Sequence, residues 1–291
     1  MLGIGSRHPL AILGRSCAAA IVVAGAALPC RAQDARPSDR ARDRGPGVPT
    51  SMFGTYIERG ELLFYPFVEL YLDDDAEYSP DELGYGLDED FRGRYRATEG
   101  LIFLGYGISD RLAVELEGAV ITAWQERAPD DPSGMPERIE ESGLGDVEGQ
   151  LRWRWNRESE RRPELFSYFE TVFPLQKGKR LIGTQSWEFK LGTGVVRGFG
   201  WGTATVRAAV EYDGEDGSMA LGEYAAEYLR RISPRLRIFT GIEGSEDEVE
   251  LITEAQLFLR PDVVLKLNNA FGVTSKATDW APEIGVVFSF R

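Results

Sequence analysis

Histidine occurs once and cysteine twice in these 291 residues, at His8, Cys17 and Cys30. All three lie in a segment built like an export signal. It has a basic start with Arg7 and Arg15, an apolar run over 17–28, and a small-residue end at Cys30-Arg31-Ala32. Such a run is shorter than the roughly 20 residues a membrane-spanning helix needs, and has the length of a cleaved signal peptide. Residues 1–32 are therefore expected to be removed. A lipid anchor on Cys30 would need small residues before it, which Leu28-Pro29 do not supply. The remaining chain would have neither imidazole nor thiol. A nucleophilic serine needs a base to take its proton, so Ser/His hydrolysis is excluded, and disulfides with it. Carboxylates abound, and a pair of them could cleave a glycoside, but no spacing singles out a pair. The expectation is a non-enzymatic protein with no cofactor and no metal.

Two other motifs invite chemistry. Asp73, Asp74, Asp75, Glu77, Asp81, Glu82, Asp88, Glu89 and Asp90 form an acidic stretch with no basic residue before Arg92. A divalent cation could bridge such oxygens, but the spacing matches no calcium loop, and a solvated surface loop is the better reading. Its charge could concentrate cationic solutes near a channel mouth. Gly143-Leu144-Gly145-Asp146 lacks the Lys-Ser/Thr of a phosphate loop and precedes a strand, so it is expected to be an entry turn. Nucleic acid is an improbable partner. Loss of residues 1–32 removes three arginines and no acid, deepening the formal charge from −14 to −17.

The remaining charged residues are arranged by alternation. In 112–120, Leu112, Val114 and Leu116 point one way and Ala113, Glu115 and Glu117 the other. In 146–155, Val147, Leu151, Trp153 and Trp155 oppose Asp146, Glu148, Gln150, Arg152 and Arg154. Similar segments are expected at 61–71, 95–108, 165–175, 187–199, 203–212, 220–230, 236–243, 249–259, 263–271 and 283–290. This makes about 12 strands, each near the length that crosses a membrane at a tilt. Short links, such as Ser109-Asp110-Arg111, Ser233-Pro234-Arg235 and Arg260-Pro261-Asp262, alternate with longer or acidic ones. The predicted fold is an all-β, antiparallel transmembrane β-barrel over 58–291, entered from a flexible periplasmic arm over 33–57. Pro66 is expected to cause a bulge and Pro174 to end a strand.

A soluble barrel also alternates, but three features favour a membrane. Charge gathers on one strand face. Aromatics, among them Phe64, Tyr65, Tyr71, Trp153, Trp155, Trp187 and Trp201, sit near segment ends as in interfacial girdles. The chain finishes on the alternating strand Ile284-Gly285-Val286-Val287-Phe288-Ser289-Phe290-Arg291. The register turns Glu115, Glu117, Glu148, Arg152, Arg154, Glu170, Glu188, Lys190, Arg207, Glu211, Glu223, Glu227, Glu254 and Lys266 toward the lumen. There they would either line a selectivity path or pair with one another across strands and fill the bore.

Ser142-Gly143-Leu144-Gly145-Asp146-Val147-Glu148 leading to Arg152-Trp153-Arg154-Trp155, then Glu170-Thr171-Val172-Phe173-Pro174-Leu175 and the closing strand, resemble the outer-membrane transporter family tied to the meta-pathway of phenol degradation. The resemblance implies an outer-membrane protein of a Gram-negative-type bacterium. Its partners would be membrane lipid and lipopolysaccharide, the barrel-assembly machinery during biogenesis, and a small solute, aromatic or hydrophobic, taken up passively. The alternative is a structural or surface-interaction barrel whose lumen is plugged by charge pairs.

Overall fold

The computed structural model describes residues 41–214, 217–245 and 248–291. The expected signal peptide and residues 33–40 of the arm lie outside them. Two short strands, β1 (Val48–Pro49) and β2 (Tyr56–Ile57), pair with each other. Twelve longer strands follow. They are β3 (Leu62–Tyr78), β4 (Phe91–Gly107), β5 (Leu112–Glu126), β6 (Arg138–Asn156), β7 (Glu164–Phe173), β8 (Glu188–Phe199), β9 (Gly202–Asp213), β10 (Ser218–Ser233), β11 (Leu236–Ser245), β12 (Glu248–Arg260), β13 (Val263–Gly272) and β14 (Trp280–Phe290). Each pairs antiparallel with its neighbour in sequence, and β14 closes on β3, giving a 12-stranded barrel. Among the described residues no helix is long and apolar enough to cross a membrane.

The barrel is inside-out with respect to a soluble core. On β5, Leu116 and Val120 are 46% and 57% exposed while Ala113 and Glu115 are buried. On β6, Trp153 and Trp155 face outward while Arg152 and Arg154 are 2% exposed. An apolar exterior with charge inside is what lipid outside and polar contacts within require. The exposed Trp153, Trp155, Trp187 and Trp201 belong to the exterior, but Tyr65 and Tyr71 do not. Those two share the inward parity of Leu63 and Phe67 and are buried in the lumen.

Serine helps shape the tight turns at one end. Ser109 Oγ accepts from the N–H groups of Arg111 and Leu112, and Ser233 Oγ from that of Arg235. Glycine makes room for aromatics inside. A Cβ on Gly192 would come within 2.1 Å of the Tyr168 ring, and one on Gly194 within 2.4 Å of Phe166.

Several local expectations change. The strands run beyond the expected segments, so Asp73, Asp74, Asp75 and Glu77 lie on β3 rather than in a loop. They face arginines of β4: Glu77 binds Arg92 at 2.7 Å, and Asp74 binds both Arg94 and Arg96. The opposite signs of the two adjacent strands make this a cross-strand ladder rather than a run of unpaired like charges, with Asp74 and Asp75 still exposed. Gly143-Leu144-Gly145-Asp146 is not a turn either. Val120 pairs with Leu144 and Gly118 with Val147, so Gly145 and Asp146 together oppose Ala119. At this bulge the inward row of β6 changes parity, from Glu141 and Gly143 to Asp146 and Glu148. Pro66 keeps its register with β4, and its missing N–H shows on the other side. The β14–β3 ladder runs from Gly285↔Phe67 to Phe288↔Phe64 and skips Pro66. β7 ends at Phe173, immediately before Pro174.

Candidate functional site

The candidate site is the lumen, and its lower half is filled by the chain itself. Residues 41–57, expected as part of a flexible arm beneath the barrel, are packed inside it at the end with the tight turns. Val48 and Ile57 are fully buried. The Arg44 guanidinium lies 2.8 Å from Glu158 and 3.0 Å from Glu164. Burial alone would lower its pKa, but Tyr56, Glu164 and Glu158 hold it above the ordinary arginine value. Burial pushes the Tyr56 phenol up to about 12. The backbone of this plug is bound as closely as its side chains. Both Arg154 Nη atoms donate to the Pro46 carbonyl at 2.9 and 3.1 Å. Gln256 Nε2 and Lys266 Nζ donate to that of Phe53 at 3.0 and 3.1 Å. Glu115 accepts from the Ser51 N–H and hydroxyl, and Phe53 stacks on Phe239 at 5.1 Å. Proline and glycine give this segment no apolar period, so its fit depends on polar partners that are 64 to 213 residues away in sequence.

The charged residues expected at the lumen lie on the inward rows of their strands, and the structure joins most of them in pairs. Arg152 meets Glu115 at 3.4 Å, Lys190 meets Glu170 at 3.1 Å, and Lys266 meets Glu254 at 2.9 Å. Arg207 binds Glu227 at 2.7 Å and Glu243 at 2.8 Å, and also contacts Glu223. Arg154 lies 3.6 Å from Glu164. Glu211 sits directly across from Lys190. Glu117, Glu148 and Glu188 line a cavity of about 90 Å³.

The far end is covered by the connection over 174–187, which folds inward so that Leu181 and Ile182 are buried. Two carboxylates of β6 hold it. Asp146 Oδ1 accepts from the N–H groups of Leu175 and Gln176 at 2.6 and 3.0 Å, and Oδ2 from the N–H and hydroxyl of Thr184 at 2.5 and 2.8 Å. Glu141 accepts from the N–H groups of Arg180 and Leu181 at 3.0 and 2.8 Å. The connection over 127–137 contributes the buried Ala128 and Met135, with Ala128 N–H donating to Tyr78 OH.

Sequence reading missed Asp146 as a lid anchor, Arg44 as a plug anchor, and the inward acids Glu69, Glu99, Glu250 and Glu283. Parity was signal enough for Glu69. It stands two, four and six residues from Phe67, Tyr65 and Leu63, all buried. Alternation turned Asp146 inward with Glu148 and Gln150, but nothing local names the lid as its partner.

No family model matches the sequence, and no curated protein matches it. Among solved structures, an outer membrane channel from Pseudomonas putida F1 has a TM-score of 0.60 at 15% identity, covering 83% of this chain and 99% of that one. The translocator domain of the autotransporter NalP from Neisseria meningitidis has a TM-score of 0.49 at 9% identity, covering 79% and 88%. The Ralstonia pickettii toluene transporter TbuX has 0.40 at 9%, covering 80% and 89%. At these identities the likeness is one of fold, and the fold is that of an outer-membrane barrel.

Proposed function

We propose that this chain is an outer-membrane barrel that admits a small solute, aromatic or hydrophobic in part, by passive passage through a gated lumen. The observation that carries the reading is a cavity beneath the lid over 174–187 in a bore whose other end is filled by the plug over 41–57, both closures being polar. Both are fastened mainly by hydrogen bonds and ion pairs, which can be exchanged for water, while the wall behind them is a closed ladder that cannot open without breaking strands. The apolar exterior supports residence in lipid, with export by the amino-terminal signal, insertion by the assembly machinery and lipopolysaccharide around the outer loops. The resemblance to the phenol-pathway transporter family and the toluene transporter among the fold neighbours suggest the aromatic character of the solute.

One observation favours a second reading. Arg207 alone gathers three glutamates from the next two strands, β10 and β11, the kind of inner-wall pairing that would fill a structural, non-conducting barrel. Single-channel conductance in planar bilayers separates the two. Under the passage reading, deletion of residues 41–57 converts a low or flickering conductance into a steady one, and small aromatic solutes reduce it. A folded, inserted variant that stays silent would establish the structural reading instead.

A further inference from the structure

Many acids of the lumen are matched with bases, but the cavity beneath the lid has only acids among its charged lining residues. Glu99, Glu117, Glu148 and Glu188 line it, and no arginine or lysine does. The ladder sets these acids against each other. Glu117 stands directly across from Glu148, and Glu99 across from Glu69, which itself faces Glu283. Like charges directly opposite on neighbouring strands destabilise a sheet, so such an arrangement calls for a neutralising partner. Glu99 makes the point independently of the clustering. It is only 6% exposed and its carboxylate borders the cavity. Among the described residues it has no hydrogen-bond or ion-pair partner. A buried carboxylate without a partner must be neutralised by a proton or by a cation.

The rest of the lining narrows the choice. No three of these acids are placed to hold a single metal ion. Tyr71 and Ile121 give the cavity apolar walls beside its carboxylates. About 90 Å³ has room for several waters or for one small organic ion.

We propose that this chamber binds a small organic ammonium ion, its positive charge set among Glu99, Glu117 and Glu148 with an N–H donated to one of them, and its hydrocarbon part against Tyr71 and Ile121. The proposal deepens the passage reading and rests on it only where the chamber is a selectivity point for a solute in transit.

The test is calorimetric titration of the refolded full barrel in detergent with propylammonium and with the neutral isostere propanol, in parallel with bilayer conductance. Propylammonium is expected to bind and propanol to bind at least about tenfold more weakly, the difference one charge-assisted hydrogen bond supplies. Glu117→Gln with Glu148→Gln should remove that preference. Glu99→Gln alone, which keeps every cross-strand pairing, should weaken propylammonium by about tenfold and guards against a double variant that fails to fold. Equal binding of the two probes, no propylammonium binding, or full affinity in a folded Glu99→Gln barrel would overturn the proposal and leave the carboxylates neutralised by protons. Binding without conductance would overturn the passage reading alone, and conductance without binding would overturn the chamber alone.

Discussion

At the scale of single residues, the lumen depends on buried charge that is matched across large sequence distances. Arg44 is the clearest case, since its guanidinium joins Glu158 and Glu164 inside the barrel. Arg44→Ala leaves Glu158 with Arg197 and Glu164 with Arg154, both at longer range. The loss is expected to cost the docked plug about 2–4 kcal/mol, visible as frequent opening transitions in single-channel records. The sign of the pH dependence follows from the raised Arg44 value. A base held above its unfolded value contributes fully below that value, and loses the contribution only as pH climbs through the folded one. Tyr56, pushed up to about 12, also stays neutral well above pH 7. Raising pH from about 7 to about 10 should therefore leave the open probability of the wild-type barrel unchanged. Opening within that window would mean that Arg44 and Tyr56 do not hold the plug.

At the scale of elements, the two strand faces were legible and the irregularities were not. Alternation located the segments and the inward charges because one face meets lipid and the other polar partners, a contrast that repeats every second residue. It failed where the backbone changes phase. The bulge at Gly145-Asp146 moves the inward row from Asp146 and Glu148 to Gly143 and Glu141, so Glu141 also meets the lid, and the period-2 pattern carries no record of that. Asp146→Ala removes acceptors for four hydrogen bonds to 174–187, so it should free the lid while leaving the barrel folded. Faster proteolysis within 174–187, with unchanged heat stability of the barrel, is the expected result. Gly192 tests packing on the inner face. Gly192→Ala drives a Cβ into the Tyr168 ring, and overpacking of this kind typically costs about 1–3 kcal/mol, measurable as a lower denaturant midpoint for refolding. The plug over 41–57 was read as a free arm for a physical reason. Its proline-rich backbone offers carbonyls rather than an apolar stripe, and carbonyls gain a place only when Arg154, Gln256 and Lys266 arrive from distant strands.

At the scale of the whole molecule, a ring of twelve antiparallel strands surrounds a closed bore with one acidic chamber. The overall architecture was readable from alternating segments and alternating link lengths. The occlusion was not, because it is a property of the assembled interior. The seam between β14 and β3 adds a consequence that concerns time. Ser289 bonds Glu61 across 228 residues, and Arg291 reaches back to Glu58 at 2.8 Å. Every other strand pair joins neighbours in sequence and can zip as a hairpin, whereas this pair carries the largest loop-closure entropy and has a ladder interrupted at Pro66. Ring closure is therefore expected to be the slow, final event of folding. Until it occurs, β3 and β14 present two unpaired edges, so the lifetime of the open ring sets how long the newly made chain is exposed to misassembly.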